Sequence, residues 1–394
     1  MSATLERPAH ARLALLDRAQ ALRIMAWAIG FRVASAVLGF FINLAFDPPR
    51  AFTVFQRPSA FWDAFAHGDS GWYEPIARNG YTYYVDSRSN IAFFPGYPMF
   101  MRYVGRLFPH GYEQFYLGGI AVSWTCFVLA MAALYYLARL DLPPSRARRA
   151  VLLGAVFPFA FFFGVVYSES MFLLFTVLAF YGFRTRRWIL GGLAASIAIA
   201  TRVPGILMLP ALAWLAWKHA EPTRRDRGRA LAGLTLSVAG FAWYCAYIYS
   251  LSGMPFEWVA TIRRWNYHPG GAPWQAPLML LDKLLMHPYT YLSSEPGALY
   301  DTLYGVTGLI FLGLTPIVWR RFGAAYGLYM LLNLWLPLSS GVFEGVGRYC
   351  SILFPAFIWM ASIRSRAVIA VLIAMFGIVY TLGFMLFLTN KPIF

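Results

Sequence analysis

Charge is what this chain has least of. Only 13% of its 394 residues are Asp, Glu, Lys or Arg, against about 25% in a soluble domain, and that shortage excludes an ordinary water-soluble globule. Cysteine is scarcer still. Cys126, Cys245 and Cys350 are far apart and lie in or beside apolar stretches, so there is no disulfide framework, and they read as small buried hydrophobes. The histidines show no metal-ligand spacing, and neither a metal nor another cofactor is expected. No glycine-rich loop is present to cradle a phosphate, so a soluble nucleotide-sugar site is not indicated. Short alternating strands are missing, which excludes a porin-like barrel. No internal repeat is visible.

What remains is apolar. The chain is 59% hydrophobic and 18% aromatic, with mean hydropathy +0.55. Runs approaching the roughly 20 residues needed to cross about 30 Å of hydrocarbon recur along it. Spans are expected at 22–46, 114–138, 150–166, 169–183, 188–201, 204–217, 230–251, 300–319, 323–340, 349–362 and 367–389. The fold class is an all-α polytopic membrane protein of about eleven transmembrane helices. The two spans flanking 202–203 are short, which predicts tilt or partial penetration. Residues 1–20 read as an arginine-bearing amphipathic segment on the membrane surface. No small-residue cleavage site follows, so the first span reads as retained.

A net charge of +16 raises nucleic acid as a partner, but the placement of the charges argues against it. The basic residues fall mostly in short turns at 139–149, 184–187, 218–229, 320–321 and 364–366. With the N-terminus cytoplasmic, all of these turns face inward, as the positive-inside pattern requires. The long loops 47–110 and 252–298, which are the first and fourth outer loops, then lie outside. Interfacial helices are expected in both.

The polar residues that this topology leaves unexplained gather on the outer face: Asp63, Asp69, Glu74, Asp86, Glu169, Arg202, Arg263, Arg264, His268, Glu344 and Arg348. A membrane enzyme with a lipid-borne substrate needs such a set, with a carboxylate as general base and cations for a phosphate leaving group. A transporter vestibule uses the same residue types. Several positions also have plain structural readings. Asp69, flanked by Gly68 and Gly71, is placed to cap the helix that follows. Ser168 or Glu169 is placed to cap the next span. The FFPGYP turn (93–98) is an aromatic-proline break. Arg202, at a break between short spans, needs an anion, either a phosphate or a protein carboxylate. Arg32, inside the first span, is either functional or snorkelling. The run RRWNYH (263–268) sets cations among aromatics and suits a lipid phosphate and a sugar face. LMLLDKLLM (278–286) reads as an interfacial helix.

Several stretches carry a family likeness. DSGWYEPIARNGY (69–81) followed by IAFFPGYP (91–98) resembles the paired signatures of the PIG-V-type mannosyltransferases. YSESMF (167–172), ATRVPG (200–205), and Arg348-Tyr349 ahead of Phe354-Pro355 are similar to the family's later motifs, in order. The resemblance implies a GT-C fold, a polyprenyl-phosphate sugar donor (dolichyl-phosphate mannose in the eukaryotic members), a site outside the cytoplasm and an inverting transfer. By carry-over Asp69 is the catalytic base, with Asp63, which follows Trp62, in reserve. Arg202, Arg348, Arg263 and Arg264 become the donor-phosphate cations. Trp72, Tyr73, Glu169, Phe94, Tyr97 and His268 become the substrate pocket. Residues 1–251 then form the conserved module with its catalytic loop 47–110, and 252–394 add the second outer loop and the last helices, in a single integrated membrane domain. Mannose is the expected sugar. Another GT-C sugar transferase, or a transporter or lipid flippase, is the alternative. The family's eukaryotic acceptor is a GPI glycolipid. The compact, Arg/Ala-rich chain suggests a bacterial plasma-membrane member whose acceptor is a lipid, a glycan or a protein.

Overall fold

The computed structural model describes residues 6–46, 65–111, 113–264, 271–294, 298–340, 343 and 345–389, and all regular structure among them is helical. The surface segment and the first span expected at the N-terminus form one rod, α1 (Glu6–Phe46). The long loop 47–110 contributes α2 (Ser70–Asn79) and α3 (Gly96–Gly105), both amphipathic. Then come α4 (Gln114–Arg139), α5 (Pro144–Ala155), α6 (Glu169–Arg184), α7 (Trp188–Thr201), α8 (Leu209–His219), α9 (Arg224–Ser237) and α10 (Ala239–Ser252). The second long loop carries α11 (Glu257–Arg264), α12 (Gln275–Met286) and α13 (Pro288–Ser294). The chain ends with α14 (Ala298–Phe322), α15 (Ala324–Leu338), α16 (Val346–Ser351), α17 (Phe354–Ala361) and α18 (Arg366–Leu388).

Five stretches are long and apolar enough to cross a membrane: Asp17–Phe46, Gln114–Arg139, Arg224–Ser252, Tyr300–Phe322 and Arg366–Leu388. α7 and α15 are apolar but shorter. Three of the expected spans are divided. Residues 150–166 are the end of α5 plus an irregular stretch with a 3-10 turn at Ala160–Gly164. Residues 204–217 begin as a 3-10 turn, Val203–Met208, before α8. Residues 349–362 are split between α16 and α17. A proline stands at each break, namely Pro158, Pro204 and Pro355, and proline removes a backbone donor and clashes with the preceding turn. Hydropathy alone does not register that interruption.

The irregular stretch ahead of α6 is buried, so its backbone polar groups need partners. Trp124 donates from Nε1 to the Gly164 carbonyl at 2.9 Å, Ser170 Oγ to Phe163 O at 2.7 Å, and Ser123 Oγ to Tyr167 O at 3.1 Å. The Val166 N–H donates to Phe65 O at 2.8 Å, which ties the first outer loop to this stretch. α4 lies in the middle of the packing, against α1, α3, α5 and α6, while α7 rests on α6 and α9. Small residues let these helices approach closely. A Cβ added to Gly192 of α7 would stand 2.3 Å from the Gly233 carbonyl of α9. A second, smaller cluster of Ile91, Phe94, Tyr244, Ile248 and Trp258 fastens the first outer loop to α10 and α11.

Candidate active site

α2 begins after Gly68, whose φ of +53° is a left-handed conformation open to glycine. Asp69 occupies the N-cap position of α2, yet its side chain makes no capping hydrogen bond. Its carboxylate instead accepts from Arg348 Nη2 at 2.8 Å, and its backbone N–H donates to the Tyr167 hydroxyl at 3.1 Å. Ser168, at the N-cap of α6, also makes no side-chain cap. Glu169, the first residue of α6, is completely buried. Its Oε1 accepts from Arg348 Nε at 2.7 Å and from Arg202 Nη1, while its Oε2 is buried without a hydrogen-bond partner. The structural capping readings of Asp69 and Glu169 therefore fail, and both carboxylates are engaged by guanidinium groups.

Local backbone explains how the arginines arrive. Arg202 is extended (φ −156°, ψ 149°) where α7 stops, immediately ahead of the 3-10 turn Val203–Met208. Arg348 sits in the short α16, entered through Gly345 at φ +74°. Beside it, a Cβ on Gly347 would lie 2.4 Å from the Phe159 ring, so only glycine lets α16 settle there. The Arg348 guanidinium lies over two neighbouring rings, Tyr167 at 4.7 Å and Phe162 at 5.0 Å, which are themselves 5.1 Å apart. Arg202 faces the Tyr349 ring at 5.6 Å and reaches Ser168 Oγ at 3.4 Å. Ser168 shares a 3.1 Å hydrogen bond with the Tyr73 hydroxyl. Burial, with the Asp69 charge next to it, pushes the Tyr73 phenol above its usual value, so it stays protonated.

Two carboxylates and two guanidiniums in contact are balanced in charge, which is what tolerates them so far from water. The cluster can do three things chemically. It presents an oriented carboxylate, it offers cationic donors to an anion, and it excludes water around both.

The other sequence candidates are placed elsewhere. Arg264 donates from Nη1 to Glu257 Oε1 at 2.9 Å and from Nη2 to Asp86 Oδ1 at 3.1 Å, and Tyr83 joins Glu257 at 3.1 Å. That network clamps α11 to the first outer loop. Arg263 is exposed next to it. Glu74 pairs with Arg78 at 2.6 Å along α2. Trp72 is half-buried and stacks on Phe93. Phe94 is packed against Tyr244 and Trp258. Tyr97 is fully buried, with its hydroxyl donating to Gly119 O at 3.0 Å and touching Ser123 Oγ at 2.9 Å. Phe94 and Tyr97, expected in the pocket, are both enclosed, at 3% and 0% exposure. Arg32 does not face the site. It donates to Ala160 O at 3.4 Å and lies 4.0 Å over the Phe127 ring. Asp63, His268 and Glu344 lie outside the described residues.

Residues 14–220 match the family model described as Mannosyltransferase (PIG-V), more than half of the 394 residues. The chain belongs to the PIG-V mannosyltransferase family. It is therefore a glycosyltransferase integral to a membrane. Asp69, Glu169 and Arg202 fall within the matched part of this family member, whereas Arg348 comes from beyond it. Among solved structures, it is similar to the Archaeoglobus fulgidus oligosaccharyltransferase in its apo form, with 14% identity and a TM-score of 0.49, over 93% of this chain and 56% of that one. It is also similar to the archaeal oligosaccharyltransferase AglB from Archaeoglobus fulgidus in complex with an inhibitory peptide and a dolichol-phosphate, with 12% identity and a TM-score of 0.44, over 93% of this chain and 56% of that one. The chain thus spans little more than half the length of those proteins. No curated protein matches it.

Two residues of this PIG-V family member were not among the site residues expected from sequence, although Ser168 was expected as a helix cap. Tyr167 holds Asp69 and stacks on Arg348, and Ser168 joins Tyr73 to Arg202. Both stand in the YSES motif, next to the Glu169 that was singled out. Their chain position beside Glu169 was the available signal.

Proposed function

We propose that this protein moves mannose from a polyprenyl-phosphate mannose donor to an acceptor hydroxyl, with inversion at the anomeric carbon, on the extracytoplasmic face. The architecture in this reading is a GT-C fold of about eleven spans, some of them broken or tilted, with a cytoplasmic N-terminus in a bacterial plasma membrane. The acceptor is a lipid, glycan or protein hydroxyl. The observation that carries the reading is the convergence of Asp69 from the first outer loop with Glu169, Arg202 and Arg348. It joins residues on both sides of the 251/252 division, which supports a single integrated membrane domain.

The Asp69 side chain is 29% exposed. One oxygen, Oδ2, is held by Arg348, which leaves Oδ1 as the acceptor for a proton. In the transfer the acceptor O–H proton passes to Asp69. The acceptor oxygen forms its bond to the anomeric carbon, and the bond from that carbon to the phosphate oxygen breaks. The electron pair leaves with polyprenyl phosphate, whose growing charge the guanidiniums stabilise. A single carboxylate serves one displacement, unlike the paired carboxylates of retaining hydrolases. Incubation of purified protein with labelled polyprenyl-phosphate mannose tests this. Transfer by the wild type and its loss in Asp69→Asn are expected. Transfer by Asp69→Asn at the wild-type rate would refute the assignment, and use of a different labelled sugar in preference to mannose would correct the substrate.

A further inference from the structure

The two arginines at Glu169 are not equivalent. Arg348 has Nε on Glu169 and Nη2 on Asp69, and its guanidinium rests against the Tyr167 and Phe162 rings. Arg202 gives only Nη1 to protein partners, Glu169 and Ser168. Its Nε and Nη2 stay open at a side chain that is 12% exposed. We infer a division of labour, resting on the transferase reading above: Arg348 is a positioning residue that orients Asp69, Arg202 receives the donor's phosphodiester, and Glu169 is the buried counter-ion that holds both in place.

The reasoning is geometric. A guanidinium with a free edge presents two parallel N–H donors, which match two phosphate oxygens. Arg202 has that edge and Arg348 has given its own to two carboxylates. A general base needs a third group that fixes its orientation, and Arg348 supplies one bond to Asp69 while Tyr167 supplies another through the backbone. Glu169 sits between the two jobs. Its single engaged oxygen accepts from both arginines, so neither swings freely when the leaving phosphate gains its second charge.

The test separates binding from chemistry. Affinity for polyprenyl monophosphate, the leaving group, is measured on purified Arg202→Gln and Arg348→Gln, together with kcat for labelled mannose transfer. Arg202→Gln is expected to weaken polyprenyl monophosphate by about tenfold to a hundredfold. Arg348→Gln is expected to keep that affinity within about threefold and to lower kcat by about a hundredfold. The charged and titratable groups that face Asp69 are Arg348, Tyr167 and Tyr73, with Glu169 and Arg202 behind them, while His67 packs on Phe387. Retained affinity also shows that Arg348→Gln is folded. If that variant does not fold, Arg348→Lys, which keeps the charge but loses the fork, makes the same comparison with a smaller loss of rate. Equal loss of affinity in folded variants of both arginines, or an unchanged kcat in Arg348→Gln, overturns the division. Absence of mannose transfer by the wild type would instead overturn the transferase reading itself, so the two failures are distinguishable.

Discussion

Asp69 and Asp86 belong to the same outer loop, and each reaches an arginine from the second part of the chain, Arg348 at 2.8 Å and Arg264 at 3.1 Å. Around Arg348, Asp69 is 29% exposed and Glu169 is completely enclosed with one oxygen unpaired, while Arg202 keeps open donors. Around Arg264, Glu257 is buried as well, but Asp86 is 86% exposed, and the two terminal nitrogens of the guanidinium are given to these two carboxylates. Both networks join distant parts of the chain. The first gathers two arginines on one buried carboxylate, whereas the second ends in an exposed one, and poorly screened charge does work on a substrate that screened charge does not. The lesson is that burial and leftover hydrogen-bonding capacity, rather than the presence of an ion pair, separate a catalytic cluster from a clamp.

The largest effect expected from breaking this contrast is at Glu169. Glu169→Ala leaves two enclosed guanidiniums short of an anion. A destabilisation of about 3–5 kcal/mol and loss of detectable transfer are expected, read from thermal unfolding in detergent and from labelled mannose transfer. Tyr97→Phe comes next. It removes the hydroxyl that satisfies Gly119 O and meets Ser123. A loss of about 1–3 kcal/mol is expected from the unpaired buried carbonyl, with kcat of the folded fraction nearly unchanged. Loss of donor specificity in Tyr97→Phe would return this residue to the pocket. Arg264→Gln is smaller still, with transfer rates within about twofold, because it loosens a clamp on the solvent side.

The smallest effect is at Glu74. Burial pushes its carboxyl above its usual value of 4.5, and Arg78 opposes that shift without cancelling it. A raised carboxyl in the folded state favours the protonated form. Its contribution to stability is present below the unfolded value and is lost as pH rises through the folded one. Glu74→Gln is expected to flatten that decline, seen as a melting temperature less dependent on pH above 4.5. A steeper decline in the variant would contradict the sign.

Much of this was legible in the chain before any coordinates. Scarce charge and long apolar runs gave a helical membrane protein, and the loop 47–110 was expected to carry interfacial helix, where α2 and α3 lie. The motif order pointed to Asp69, Glu169, Arg202 and Arg348. Hydropathy failed at 150–166 and 349–362 because it averages over side chains, whereas the breaks there arise from proline and from carbonyls answered by Trp124, Ser123 and Ser170. Sequence also could not sort Arg264 from Arg348. Each pairs with a buried glutamate, and only tertiary packing decides that Arg264 also meets Asp86 in solvent while Arg348 also meets Asp69 beside Arg202. The capping readings of Asp69 and Ser168 were chemically sound for isolated helices. They gave way because tertiary partners, an arginine in one case and Tyr73 with Arg202 in the other, took those side chains.

The most direct measurement compares the two aspartates of the first outer loop side by side. Rates of labelled mannose transfer from polyprenyl-phosphate mannose would be measured for Asp69→Asn and Asp86→Asn under the same conditions. A loss of about a hundredfold to ten-thousandfold is expected for Asp69→Asn, with Asp86→Asn within about twofold of the wild type. Equal rates in the two variants, or a larger loss in Asp86→Asn, would contradict the placement of catalysis at the buried cluster.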